Sequence, residues 1–316
     1  MKKKFVLTLA LVLMVAVTLS AATPVEVSGN FKAGYKLTFD PFKVAQNDLS
    51  GANQAQTAKI AVSGDFWKVS LNAVNFTNAK DIKATADIYL DKALAAEGVD
   101  MGDVGLTLHI GSGVSADAPS VFADKGGLSS GLSAAGANLG LSIGYADLVD
   151  VYFAADLTAD PVDMVIGATV NPVDGVNVAV GYTNSGNGIT GSAKADIAKL
   201  ADLDFALAVT LEDIYLVDAK TNELNVDVAT TIEGIGLYAA YQMDAAKKHN
   251  MKIGASYTLS GVGLSASFKM VDLGNAKTMT VGGGANYKFG GVKYALDAEY
   301  TKAAGFSLSP SVSIAF

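Results

Sequence analysis

The last eleven residues, Phe306-Ser-Leu-Ser-Pro-Ser-Val-Ser-Ile-Ala-Phe316, alternate without a lapse. Phe306, Leu308, Pro310, Val312, Ile314 and Phe316 fall on one side of an extended chain, and Ser307, Ser309, Ser311, Ser313 and Ala315 on the other. A period of two defines a β-strand with one apolar and one polar face. The length suits a tilted strand crossing a bilayer, which needs roughly 9–11 residues. In lipid such a strand must have every backbone polar group paired, which only a closed sheet provides. The rest of the chain therefore has to supply similar strands until the sheet meets itself.

It does so with little interruption. Near the amino end Val25, Val27, Gly29, Phe31, Ala33, Tyr35, Leu37 and Phe39 oppose Glu26, Ser28, Asn30, Lys32, Lys36, Thr38 and Asp40. Ala58, Ile60, Val62 and Gly64 oppose Lys59 and Ser63, and Ile82, Ala84, Ala86 and Ile88 oppose Lys83, Thr85 and Asp87. The pattern predicts further strands over 67–73, 104–110 and 137–145. Later ones centre near Phe153, Ile166, Val178, Ala193, Leu207, Val228, Ala239, Ala255, Ala266, Gly283, Leu296 and Val312. The fold class is all-β: a transmembrane antiparallel up-and-down β-barrel of about 16–18 strands, with an even number expected of a single bacterial chain. Glu233-Gly234, Ser260-Gly261 and Gly290-Gly291 read as tight hairpin turns. Residues 41–57, 111–136, 212–223 and 244–250 read as the longer connections at the opposite end. Residues 91–103 break this alternation of short and long, and their Lys92–Glu97 core reads as a helical turn.

The amino terminus sets the compartment. Lys2, Lys3 and Lys4 precede an apolar run from Phe5 to Leu19, followed by the small residues Ser20, Ala21 and Ala22. This is the layout of a secretory signal peptide over residues 1–22, leaving residues 23–316 as a single barrel domain. The chain has no cysteine, so neither disulfides nor thiolate chemistry are available. Removing the three signal lysines takes the net charge from −8 to −11, which argues against nucleic acid as a partner. Every basic residue is lysine, so bidentate guanidinium clamps are absent.

A soluble sandwich also alternates, but with its apolar face turned inward. Here the apolar face is nearly free of charge throughout, as lipid requires when a charge at the midplane costs roughly 2–4 kcal/mol. A single sheet of this many strands encloses a lumen too wide for side chains to fill, and a wet lumen accounts for the charged face. Aromatic residues such as Phe39, Trp67, Tyr145, Tyr257, Phe289 and Phe306 fall towards strand ends, as in interfacial girdles.

The carboxyl-terminal strand ending on Phe316 resembles the terminal strand of bacterial outer-membrane β-barrels, and the mature chain as a whole resembles the porins of that class. The resemblance implies a bacterial outer-membrane location, outer-membrane lipid around the barrel, engagement of the barrel-assembly machinery through the strand ending in Phe316, and a homotrimer. It also implies a water-filled channel for passive diffusion of ions and small hydrophilic solutes. Residues 111–136 are the expected inward constriction loop. Within them Pro119-Ser-Val-Phe-Ala-Asp-Lys-Gly-Gly127 resembles the Pro-Glu-Phe-Gly-Gly segment of the constriction loop in general porins, with different spacing and no glutamate.

The expected pore-lining residues are Lys32, Lys59, Lys83, Asp87, Asp117, Asp124, Lys194, Asp227, Lys252, Lys288 and Asp297. Over the whole lumen face, beyond these eleven, carboxylates slightly outnumber lysines, which predicts a mild preference for cations. No enzyme, metal or cofactor is expected. The two histidines, His109 and His249, fall on the lumen face and in a polar loop, without a Ser/Asp arrangement in sequence around them. Gly282-Gly-Gly284 lacks the Lys-Ser/Thr and helix of a phosphate loop. Two other functions compete: a structural envelope barrel without an open channel, and a substrate-specific channel such as one for sugars. The latter calls for an aromatic track, for which Tyr89, Tyr152 and Tyr238 are the inward candidates.

Overall fold

Two-faced strands joined by short turns leave the sheet no option but to curl and close. In the computed structural model of this chain the structure describes residues 25–39, 41–45, 56–74, 82–134, 136–275 and 278–316. The expected signal peptide, and part of the expected connection 41–57, lie outside them. Eighteen antiparallel strands form one closed up-and-down barrel. The upper of the two strand numbers is therefore the right one.

Strand β1 is interrupted at Tyr35, as Glu26–Gly34 and Lys36–Phe39. Strand β2 comprises Phe42–Ala45 and Gln56–Gly64. Then follow β3 (Trp67–Val74), β4 (Ile82–Tyr89), β5 (Val104–Ile110), β6 (Leu139–Tyr145), β7 (Val149–Asp156) and β8 (Asp163–Val173). Next come β9 (Val176–Thr183), β10 (Gly188–Asp196), β11 (Ala206–Leu216), β12 (Thr221–Ile232) and β13 (Ile235–Met243). The last five are β14 (His249–Leu259), β15 (Val262–Met270), β16 (Met279–Phe289), β17 (Val292–Thr301) and β18 (Gly305–Ala315).

Closure is made by β18 against β1, from Asn30↔Ala315 to Gly34↔Ser311 and again at Leu37↔Leu308. It runs to the final residue: Gly29 N–H donates to the Phe316 carbonyl at 2.7 Å, and Phe316 N–H to the Gly29 carbonyl at 3.0 Å. A Cβ at position 29 would sit 2.4 Å from the Phe316 ring, so the terminal aromatic lies directly over a glycine on the outer face.

The hairpin turns behave as their glycines dictate. Glu233 and Gly234 have φ of 50° and 80°, Ser260 and Gly261 50° and 83°, and Gly290 and Gly291 56° and 82°. Positive φ at both central residues is the twist-matched hairpin turn. The long connection after β4 contains helix α1, Leu90–Ala96, where a helical turn was expected. A second short helix, α2 (Ile197–Leu200), starts at Asp196, whose side chain accepts from Lys199 N–H. One expected loop is absent. Residues 212–223 are mostly strand, because β11 continues to Leu216 and β12 begins at Thr221. Their carboxylates give the stretch a loop-like polarity, but Glu212 and Glu223 point inward and are buried.

The outward face keeps its apolar residues bare: Val180 is 55% exposed, Ile253 45%, Leu296 47% and Ile314 41%. A belt of this extent running round the barrel marks a surface made for lipid rather than water. Asp213, exposed and between Glu212 and Ile214, is a charged exception on that face. No described helix is long and apolar enough to cross a membrane.

Candidate functional site

The polar face is the inner one. Lys36 on β1 and Tyr238 on β13 border the same cavity, although several strands separate them along the sheet. Only the concave side of a closed barrel brings such residues together.

The connection between β5 and β6, residues 111–138, lies against this inner face. It folds on itself through the bridge Asp117↔Ser133. Pro119 lies over the wall where strands β8 and β9 carry glycine; a Cβ at Gly167 would stand 2.7 Å from its Cδ. Val114, Ala118, Leu132 and Ala134 of the loop pack with Ala154, Val165 and Ile214 of the wall in a small dry cluster. Beyond that cluster the attachment is polar. Ser120 Oγ donates to Glu212 Oε1 at 2.7 Å and Ser129 Oγ to Glu212 Oε2 at 2.5 Å. Ser130 donates to Glu223 from its N–H at 2.9 Å and its hydroxyl at 2.8 Å. Lys125 N–H donates to Asp227, and the Gln242 amide to the Leu128 carbonyl. Asn225, wholly buried between the two glutamates, donates to both. The wall carboxylates thus hold the loop through N–H and O–H donors. Hydrogen bonds to a charged acceptor contribute about 1.5–3 kcal/mol each, so the loop is fastened firmly.

The expected pore-lining residues separate into groups. Asp117 and Asp124 are on the loop. They border a cavity of about 270 Å³ between loop and wall, with Ser120, Ser129, Ser130 and Glu212. Lys194 and Asp227 lie under the loop on β10 and β12 and share a cavity of about 280 Å³ with Lys125. Lys252 and Asp297 share a cavity of about 430 Å³ away from the loop. Its other walls include Lys36, Glu299, Tyr238 and the hydroxyls of Ser256, Ser265, Ser267, Ser307 and Ser309. Lys32, Lys59, Lys83 and Lys288 border none of these three cavities. Lys288 pairs directly with Lys293, whose row continues through Ser313 to Lys32. Lys59 and Lys83 both face Asn72 across the sheet.

Asp87 belongs to a constellation that inspection of the sequence missed. His109 Nδ1 lies 2.8 Å from Asp87 Oδ1, and His109 Nε2 lies 2.8 Å from Ser142 Oγ. The order carboxylate–imidazole–hydroxyl is that of a nucleophilic relay. Ser142, however, sits in mid-ladder between Thr107 and Tyr152, where strand amides are engaged with one another rather than free to hold an oxyanion. The trio is thus a cross-strand polar brace. Three strands contribute one member each, and no local spacing reveals it. The other histidine, expected in a loop, begins β14 and accepts or donates a 2.6 Å hydrogen bond with the Tyr241 hydroxyl.

The inward aromatic residues do not form a track. Tyr152 donates to the Ser115 carbonyl at 2.5 Å and so anchors the loop. Tyr238 lies six strands further round the wall, over Gly254, where a Cβ would meet its ring at 2.3 Å. Among the described residues no cluster of His, Asp or Glu has the arrangement of a metal centre.

No known family profile matches the chain, and no curated protein matches it in sequence. Solved structures do. A triple mutant of the porin of Rhodopseudomonas blastica superimposes with a TM-score of 0.54 at 12% identity, over 93% of this chain and 100% of that one. Another mutant of the same porin gives 0.54 at 11% identity with the same coverage. At that identity the likeness is one of fold: this chain has the porin-type barrel.

Proposed function

We propose that this porin-fold barrel is a water-filled channel of the bacterial outer membrane, through which ions and small hydrophilic solutes diffuse passively. The observation that carries this reading is the inner wall beside the loop. An open cavity of about 430 Å³ is bordered by lysines, carboxylates and serine hydroxyls, on the inside of a barrel whose outside is apolar. Polar side chains are costly to enclose unless hydrated, so this space holds water. The loop, residues 111–136, narrows the lumen on one side.

The porin-like fold and the belt of lipid-facing side chains support the membrane location. The amino-terminal pattern supports export with removal of residues 1–22, and the strand ending in Phe316 is the signal read by the assembly machinery. By analogy with the same fold, protomers associate as a homotrimer through their outer walls. Fold and site together favour a channel over an enzyme. A substrate-specific pore has less support, because Tyr152 and Tyr238 stand six strands apart and Tyr152 is engaged by the loop. The count of wall charges alone gives a mild cation preference; their placement points the other way.

Refolded protein in a planar bilayer tests the reading. Discrete conductance steps, with heat-modifiable mobility in gels, are the expected result. A folded barrel that conducts nothing identifies the structural-envelope alternative.

A further inference from the structure

The two sides of the lumen differ in what an ion inside it meets. Under the loop, Glu212, Glu223 and Asp227 are only 3–5% exposed and give their oxygens to loop donors or to Asn225. From β14 through the seam to β3 the wall is uncovered, and there lysines outnumber carboxylates. Two features of that wall are chemically unusual. Lys252 stands directly opposite Lys269, and Lys288 directly opposite Lys293. Opposed residues in a ladder have Cβ atoms about 4.5–5.5 Å apart, and like charges so placed repel.

Among the described residues, none of these four ammonium groups has a carboxylate within 4.0 Å. Lys252 has only the face of the Tyr238 ring, 5.9 Å away. The pairs stand near opposite ends of the same wall. Lys269 faces Thr280 at one end of β16, and Lys288 adjoins the Gly290-Gly291 turn at the other. Eight residue steps along the strand take Thr280 to Lys288, about 26 Å at roughly 3.3 Å per residue. Serine hydroxyls fill the interval, interrupted by Asp297 and Glu299.

We propose that the open passage prefers small anions, and that Lys252/Lys269 and Lys288/Lys293 are its selectivity steps, one towards each mouth. The inference rests on the channel reading above. Each twin-lysine step has a like-charge repulsion, offset only in part at Lys269 by Glu299 and the loop's Asp124, and an anion relieves it by bridging the two ammonium groups, whereas a cation adds to it. The carboxylates under the loop act from behind it. With a Debye length of about 10 Å at 0.1 M salt, the charges that line the passage dominate its field. Asp297 and Glu299 keep the preference from becoming exclusive. This reverses the sign drawn from composition, because a count weighs a buried carboxylate and an uncovered lysine equally.

The test is the reversal potential of the full-length mature protein in a planar bilayer under a KCl gradient. The expected sign is that of chloride being more permeant than potassium. The variants K252Q/K269Q and K288Q/K293Q each shift it towards potassium, while K288R/K293R leaves it in place. A potassium-selective wild type with normal conductance overturns the proposal and leaves the channel reading standing. A chloride-selective wild type that neither glutamine pair shifts overturns the assignment to these lysines. Absence of any conductance in folded protein overturns both inference and reading.

Discussion

The half of the barrel beneath the loop and the half facing it are built from the same strands but solve different problems. Beneath the loop, β8 to β13 supply buried acceptors and small residues, and the wall behaves as a protein interior. Opposite, β14 to β18 and the first strands supply serines and lysines, and the wall behaves as a wetted surface. The contrast shows that polarity of the inward face does not by itself mean contact with solvent. Glu212 at 4% exposure and Asp297, exposed, occupy equivalent inward positions on their strands and do unlike work.

The largest test of that contrast removes the latch. Glu212→Ala with Glu223→Ala strips acceptors from Ser120, Ser129, Ser130 and Asn225. The buried Asn225 amide left unpaired costs about 1–3 kcal/mol and the three serines lose their anchors, so the loop should detach. Limited proteolysis should then cut within residues 111–138, and the conductance step should rise; a loop that stays protected contradicts the latch.

Next in size is a comparison across the thickness of one strand. Val312→Lys faces lipid and should destabilise the barrel by about 2 kcal/mol or more. Ser309→Lys faces the lumen and should stay within about 0.5 kcal/mol. Equal urea midpoints for the two would mean the faces are reversed.

A tryptophan separates the two halves directly. Ser192 is buried and accepts from Val121 N–H of the loop, so Ser192→Trp should destabilise by about 1–3 kcal/mol through overpacking. Ser265→Trp, on the uncovered wall, should leave stability nearly unchanged and lower the conductance step. The smallest effect belongs to the seam. Gly29→Ala puts a Cβ 2.4 Å from the Phe316 ring and 2.9 Å from the Lys59 carbonyl, so the ring must swing aside; the change should slow refolding measured by gel mobility while costing roughly 1 kcal/mol.

Much of this was legible in the sequence, for a physical reason. Lipid on one side and water on the other enforce period-two alternation, so strands such as 305–315 and their faces follow from pattern alone. The glycine turns and the helical segment after β4 were legible from local chemistry. The latch was not. Loop N–H and O–H groups reaching wall carboxylates some 83 to 102 residues away leave no mark on composition, and the same carboxylates made β11 and β12 look like a loop. Likewise Asp87, His109 and Ser142 meet only because three strands fall into register.

The central claim is that a continuous aqueous passage runs beside the loop along the uncovered wall. Single-channel recording of the wild type and of Ser265→Trp tests it most directly. The account predicts stable open steps in the wild type and a clearly smaller step in the variant at unchanged barrel stability. Wild-type steps that the tryptophan leaves unaltered would place the passage elsewhere and contradict it.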